Sequence, residues 1–127
     1  MRAYLAAPLT ARWSWSTFRA ALWAHVSLRV TARRLSKRGI TAEVPAPPHL
    51  MAGSRRGVEA VLRRSSPTCL ERSLVLQRWL FQHGVPCEVV IGVKRGASGV
   101  QAHAWLDVEQ GQELVREFTE IHRLPPR

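Results

Sequence analysis

Between Ser65-Ser66-Pro67 and Gly84 lies a segment that is apolar over most of its circumference, carrying Leu70, Leu74, Val75, Leu76, Trp79, Leu80 and Phe81. A helix without a wide polar face has to be covered on several sides, so the rest of the chain must fold around it. Its start is well marked. Thr68 can cap the first turn, Glu71 stands three residues on in the capping-box position, and Gly84 supplies the stop. The spacing predicts a helix over about residues 69–83, with Cys69 in its first turn. The chain's 127 residues suffice for one hydrophobic core and not for two independent ones.

The flanking sequence supplies that cover. From Trp13 to Arg34 the apolar positions Trp15, Phe18, Leu22, Val26 and Val30 recur every three or four residues, marking an amphipathic helix capped by Ser14 or Ser16 and stopped by Gly39. Its apolar stripe is expected to pack internally. The alternative is a surface offered to a partner or, as a peripheral contact, to a membrane. Val44-Pro45-Ala46-Pro47-Pro48 cannot be helical and reads as an extended connector. A second helix over 55–64 turns Val58, Val61 and Leu62 inward. After Pro86, Val89-Val90-Ile91-Gly92-Val93 reads as a buried strand, 94–99 as a basic loop and 100–108 as a second strand. Gln110-Gly111 reads as a two-residue hairpin turn leading into a third strand over 113–118. The expected architecture is α+β, a single domain over 1–127. Residues 1–48 form a helical segment and Pro-rich connector, and residues 49–127 form the core.

Composition removes several function classes. Apolar residues make up 46% and charged residues 22%, as in a folded globular protein and unlike a disordered tail. Arg19, His25 and Arg29 interrupt the apolar part of the first helix, leaving no membrane-spanning run, and no small-residue cleavage site follows a signal-like core. The expected location is the cytoplasm. The net charge of +10, from 19 Lys and Arg against 9 Asp and Glu, invites a nucleic-acid reading. Much of that charge gathers at helix ends, as in Arg33-Arg34 and Arg63-Arg64, where the helix dipole favours it. No nucleic-acid partner is expected; docking of an acidic peptide or protein suits the field better. Cys69 and Cys87 belong to a helix start and a strand start in a chain without export signals, so a disulfide is not expected. Cys87 reads as a buried, inert thiol. No close Cys or His pair suggests zinc.

What remains is a thiol at a helix start and, on a later strand, Ala102-His103-Ala104-Trp105. An ordinary thiol titrates near about 8.5, whereas catalytic thiols reach about 3 to 4, a gap of about 6 kcal/mol. A helix N-terminus supplies at most about 2 kcal/mol of it. A cationic partner must supply the rest, and His103 is the candidate. Its small neighbours Ala102 and Ala104 would let the strand lie close to the Cys69 helix. If 110–111 form the turn, hairpin register places Glu117 opposite Ala104 and beside His103, as the acid that orients the ring. Asp107, four residues along the strand, and Glu113 are the alternatives. The Cys69 backbone N–H is one oxyanion donor and Gln101 a second candidate. Trp105 either lines an acyl pocket or fills the core.

The series Cys69-Leu70-x-Arg72-Ser73-Leu74, Leu80-x-x-x-Gly84-Val85-Pro86, Val90-Ile91-Gly92-Val93, Ala102-His103-Ala104-Trp105 and Gly111 resembles the lasso-peptide leader peptidases, which are transglutaminase-like cysteine proteases. The resemblance covers about residues 66–118, and the chain is similar to the stand-alone protease half of a split B protein. It implies a transglutaminase/papain-like core in which the catalytic-Cys helix packs on a small antiparallel sheet. It implies a peptidase that removes the leader from a precursor peptide, with Cys69 and His103 carried over and no metal, ATP or other cofactor. The partners implied are a small leader-binding protein and an ATP-dependent lasso cyclase. In the family an aspartate follows the hairpin, whereas here that stretch carries Glu117. A non-catalytic adaptor and an acyl transferase remain the alternative functions.

Overall fold

The computed structural model describes residues 14–50, 54–109 and 116–127. Helix α1 spans Trp15–Arg38 and is capped by the Ser14 side chain, which accepts from the Thr17 N–H. It ends at Gly39, whose φ of 63° suits a residue without a Cβ, and a short 3-10 turn, Gly39–Thr41, follows. Helix α2, Arg55–Ser65, stops where Ser66 enters the left-handed region at φ 48°. Helix α3, Cys69–Gln82, starts with the expected capping box: Glu71 N–H donates to Thr68 Oγ1 and Thr68 N–H to the Glu71 carboxylate. Among the described residues, three antiparallel strands join these helices: β1, Val89–Gly96; β2, Gly99–Leu106; and β3, Thr119–Leu124. The α+β architecture expected from the sequence is the one observed.

Helix α3 is the centre. Leu74, Val75, Leu76, Trp79 and Leu80 are buried and share one core with Leu28 of α1, Val58 and Leu62 of α2, and Val89, Ala104, Leu106 and Leu124 of the sheet. Gln77 is buried in the middle of α3, and its amide nitrogen lies 2.9 Å from Cys87 O, 3.1 Å from Leu124 O and 3.1 Å from Pro125 O. A buried amide without such acceptors would forfeit its hydration, at about 1–3 kcal/mol. Here it ties the helix to the start of β1 and the end of β3 at once.

Three expectations change. The large apolar stripe of α1 is not internal: Trp15, Phe18, Leu22 and Val26 are all exposed, and the buried face is Thr17, Ala20, Trp23, Ala24, Ser27, Leu28 and Thr31. The cause is close approach. A Cβ on Gly57 of α2 would collide with Thr17 O and stand 3.2 Å from Ala21 N, so α1 and α2 touch almost backbone to backbone, and only small side chains fit there. Trp23 and Leu28 are large residues that do turn in, the Trp23 ring standing 5.6 Å from that of Trp79 and its indole N–H donating to Pro45 O in the connector.

The sheet also differs. Residues 94–96 continue β1 instead of opening a basic loop, and Gly99 at φ 119° takes the turn into β2. The order is β2-β1-β3, so the last strand pairs with β1 and not with β2. Trp105 therefore faces Val90 and Ala104 faces Ile91, while β1 pairs on its other side with Leu124, Arg123 and His122 before a register shift at Gly92. The third strand, expected over 113–118 beside β2, is observed over Thr119–Leu124 beside β1, with residues 116–118 in a turn and bend before it; the Gln110-Gly111 turn and Glu113 lie outside the described residues. No helix among the described residues is long and apolar enough to cross a membrane.

Candidate active site

Cys69 is the first residue of α3, half-buried against the core, with a free thiol. The first-turn position leaves its N–H without an intrahelical acceptor, as an oxyanion donor requires. Arg72, one turn on, holds this end of the helix to the sheet. Its guanidinium donates twice to Glu109, at 3.2 and 2.8 Å, and Glu109 also accepts the Leu106 N–H at 2.9 Å. Burial works to raise the Glu109 carboxyl. The Arg72 and Leu106 hydrogen bonds and the nearby guanidinium charge outweigh it and hold the group below the usual glutamate value. This clamp is not legible in the sequence, although Arg72 stands within the Cys69-Leu70-x-Arg72-Ser73 motif, because Glu109 lies 37 residues further along the chain.

His103 lies on β2 opposite Gly92. Side chains alternate across a strand, and Ala104 and Leu106 are the ones turned into the core shared with α3. His103 and Trp105 therefore face the other way, joined by Phe118: the His103 ring is 5.8 Å from Trp105 and 5.4 Å from Phe118 between centroids. Gly92 makes room for this cluster, since a Cβ there would meet Trp105 Cη2 at 2.9 Å and Phe118 Cβ at 3.1 Å. Among the described residues, no hydrogen bond joins the Cys69 thiol to the His103 ring.

The candidate acids are spread. Glu117 precedes Phe118 and is held by Lys94, whose Nζ lies 2.8 Å from it; that hydrogen bond and charge lower its pKa. Lys94 Nζ also sits 5.0 Å from the Phe118 ring centroid. Asp107 serves the backbone instead, accepting the Glu88 N–H at 3.1 Å and standing 3.7 Å from Arg123. Gln101, two residues before His103 on the same strand, is exposed beside Gly96. Cys87 is 3% exposed, and burial, helped by the Asp107 and Glu109 carboxylates, pushes its thiol up to about 11. That is the inert thiol expected of it.

Helix, sheet and cysteine position together define a class. The sequence model of the transglutaminase-like superfamily matches residues 14–123, and the chain belongs to that superfamily. Cysteine-peptidase or acyl-transfer chemistry is the activity this membership suggests. No curated protein and no solved structure matches the chain.

Proposed function

We propose that this chain is a cysteine peptidase that removes the leader from a ribosomally made lasso-peptide precursor, with Cys69 as nucleophile and His103 as its base. The observation that carries the proposal is a half-buried free thiol on the first residue of a capped central helix, in a chain of the transglutaminase-like superfamily. The thiolate attacks the carbonyl carbon of the last leader residue, and the oxyanion is met by the Cys69 N–H. His103 gives its proton to the departing core amine, leaving a thioester. Water, deprotonated by the same imidazole, then releases the leader acid and restores the thiol. A small leader-binding protein delivers the precursor, and an ATP-dependent cyclase takes the product. Glu117, next to Phe118 under the His103 ring, is the acid in this scheme and Asp107 its competitor.

Because His103 stands on the sheet face turned away from α3, pairing with Cys69 requires β2 to re-present that side chain when substrate binds, a backbone rearrangement beyond a change of rotamer. The test is reconstitution of chain, precursor and leader-binding protein, read by product mass. Cys69→Ala and His103→Ala should each abolish cleavage while remaining folded, and Glu117→Gln should lose more activity than Asp107→Asn. Leader release by Cys69→Ala, or undiminished release by His103→Ala, refutes the assignment. A product mass showing the leader joined to an amine would make the chain an acyl transferase.

A further inference from the structure

Among the described residues, α1 keeps one face turned away from the shared core. Along one stripe, at steps of three or four residues, stand Trp15, Phe18, Leu22, Val26, Arg29, Arg33 and Lys37, all exposed. Trp15 is 78% and Leu22 64% exposed, values unusual for side chains of this size within a regular helix. The first half of the stripe is apolar over about 16 Å, taking 1.5 Å per residue from Trp15 to Val26. The second half is cationic. Six residues of the helix are Arg or Lys, and none is Asp or Glu.

We infer that this stripe docks a partner protein through an amphipathic helix whose apolar ridge runs on into a block of carboxylates. Charge complementarity fixes the acidic half, and the exposed Trp15, Leu22 and Val26 fix the apolar half. The arrangement along the axis selects among occupants. A helix lying on a bilayer keeps its apolar face along its whole length, with basic groups at the sides. Here the same line changes from apolar to basic, so a flat orientation would press Arg29, Arg33 and Lys37 into the acyl region. A second copy matches at most the apolar half, because a parallel pair sets cation against cation and an antiparallel pair leaves the cationic half without a counter-charge. The inference stands independently of the chemistry at Cys69.

The probes are two synthetic helical peptides, each with a Leu ridge and a Glu block, one for each order of the blocks. A control pair carries Lys in place of Glu. Binding to the full chain is followed by fluorescence anisotropy. One acidic peptide should bind at least about tenfold more tightly than its Lys counterpart, with affinity that falls as salt rises. Leu22→Gln and Arg33→Glu, both at exposed positions, should each weaken it by about tenfold, and Arg33→Glu should recover affinity for the Lys peptide. The inference is overturned if neither acidic peptide binds, or if the two variants bind as wild type does. It is equally overturned if phosphatidylglycerol vesicles capture the chain through Leu22, or if sedimentation shows self-association that Leu22→Gln removes.

Discussion

Adding one methyl group to Gly92 should damage the protein in a way that the same change at Gly96 does not. Both glycines lie on β1, and an alanine in a strand normally gains about 0.5–1 kcal/mol over glycine by restricting the unfolded chain. At Gly92 the new Cβ would stand 2.9 Å from Trp105 Cη2, 3.1 Å from Phe118 Cβ and 3.2 Å from Thr119 O. Two of those three neighbours belong to a packed ring or its stem, and the third is backbone, so relief requires the aromatic cluster or β3 to move. Overpacking of this kind costs about 1–3 kcal/mol. Set against the entropic gain, the net loss is about 1–2 kcal/mol. At Gly96 every close neighbour is a side-chain atom of Gln101, which is exposed and can swing away. Gly96→Ala should therefore stay within about 0.5 kcal/mol of wild type. Urea unfolding followed by tryptophan fluorescence gives both values, and near-ultraviolet circular dichroism reports whether Trp105 has shifted. Equal midpoints for the two variants, with unchanged aromatic dichroism, would refute the packing described around Gly92.

Gly57→Ala should destabilise by about 2 kcal/mol in thermal or urea unfolding, although alanine is the better helix former by about 1 kcal/mol, because its Cβ would collide with the Thr17 carbonyl. A double-mutant cycle of Arg72→Met and Glu109→Gln should give a coupling of about 1 kcal/mol near neutral pH. The Glu109 carboxyl is held below its ordinary 4.5. Its contribution is therefore complete above that value and is lost as pH falls through the lower folded value, so the melting-temperature gap between wild type and Glu109→Gln should shrink below about pH 4.5. Cys87, buried and pushed up to about 11, should resist alkylation at pH 8 until the chain unfolds, so mass spectrometry of the native protein should find label on Cys69 alone.

Local signals read well in this chain because they act over a few residues. The Thr68 and Glu71 box, the Gly39 stop and the buried side of α3 all follow from spacing and capping chemistry. The α1 face did not, because periodicity shows which residues share a stripe and not which stripe meets α2. That choice was made by a glycine forty residues away that demands small neighbours. The order of the strands was equally hidden. A Gln-Gly pair between two apolar runs suggests a hairpin, but the hydrogen-bonding edge that β3 finds belongs to β1, which the intervening sequence does not mark. At the site, Cys69 was placed by local grammar. The surroundings of His103 depend on Gly92 and Phe118, which approach from other segments.

The order β2-β1-β3 has a mechanical consequence. The central strand is bonded on both flanks, whereas β2, among the described strands, is bonded on one. The imidazole thus rides on a peripheral ribbon, and the thiol on a girder clamped from three directions by Thr68, Arg72 and Gln77. Backbone amides of β2 should exchange with deuterium sooner than those of β1 or α3. In the proposed reaction, an incoming substrate would then move His103 while Cys69 stays where folding left it.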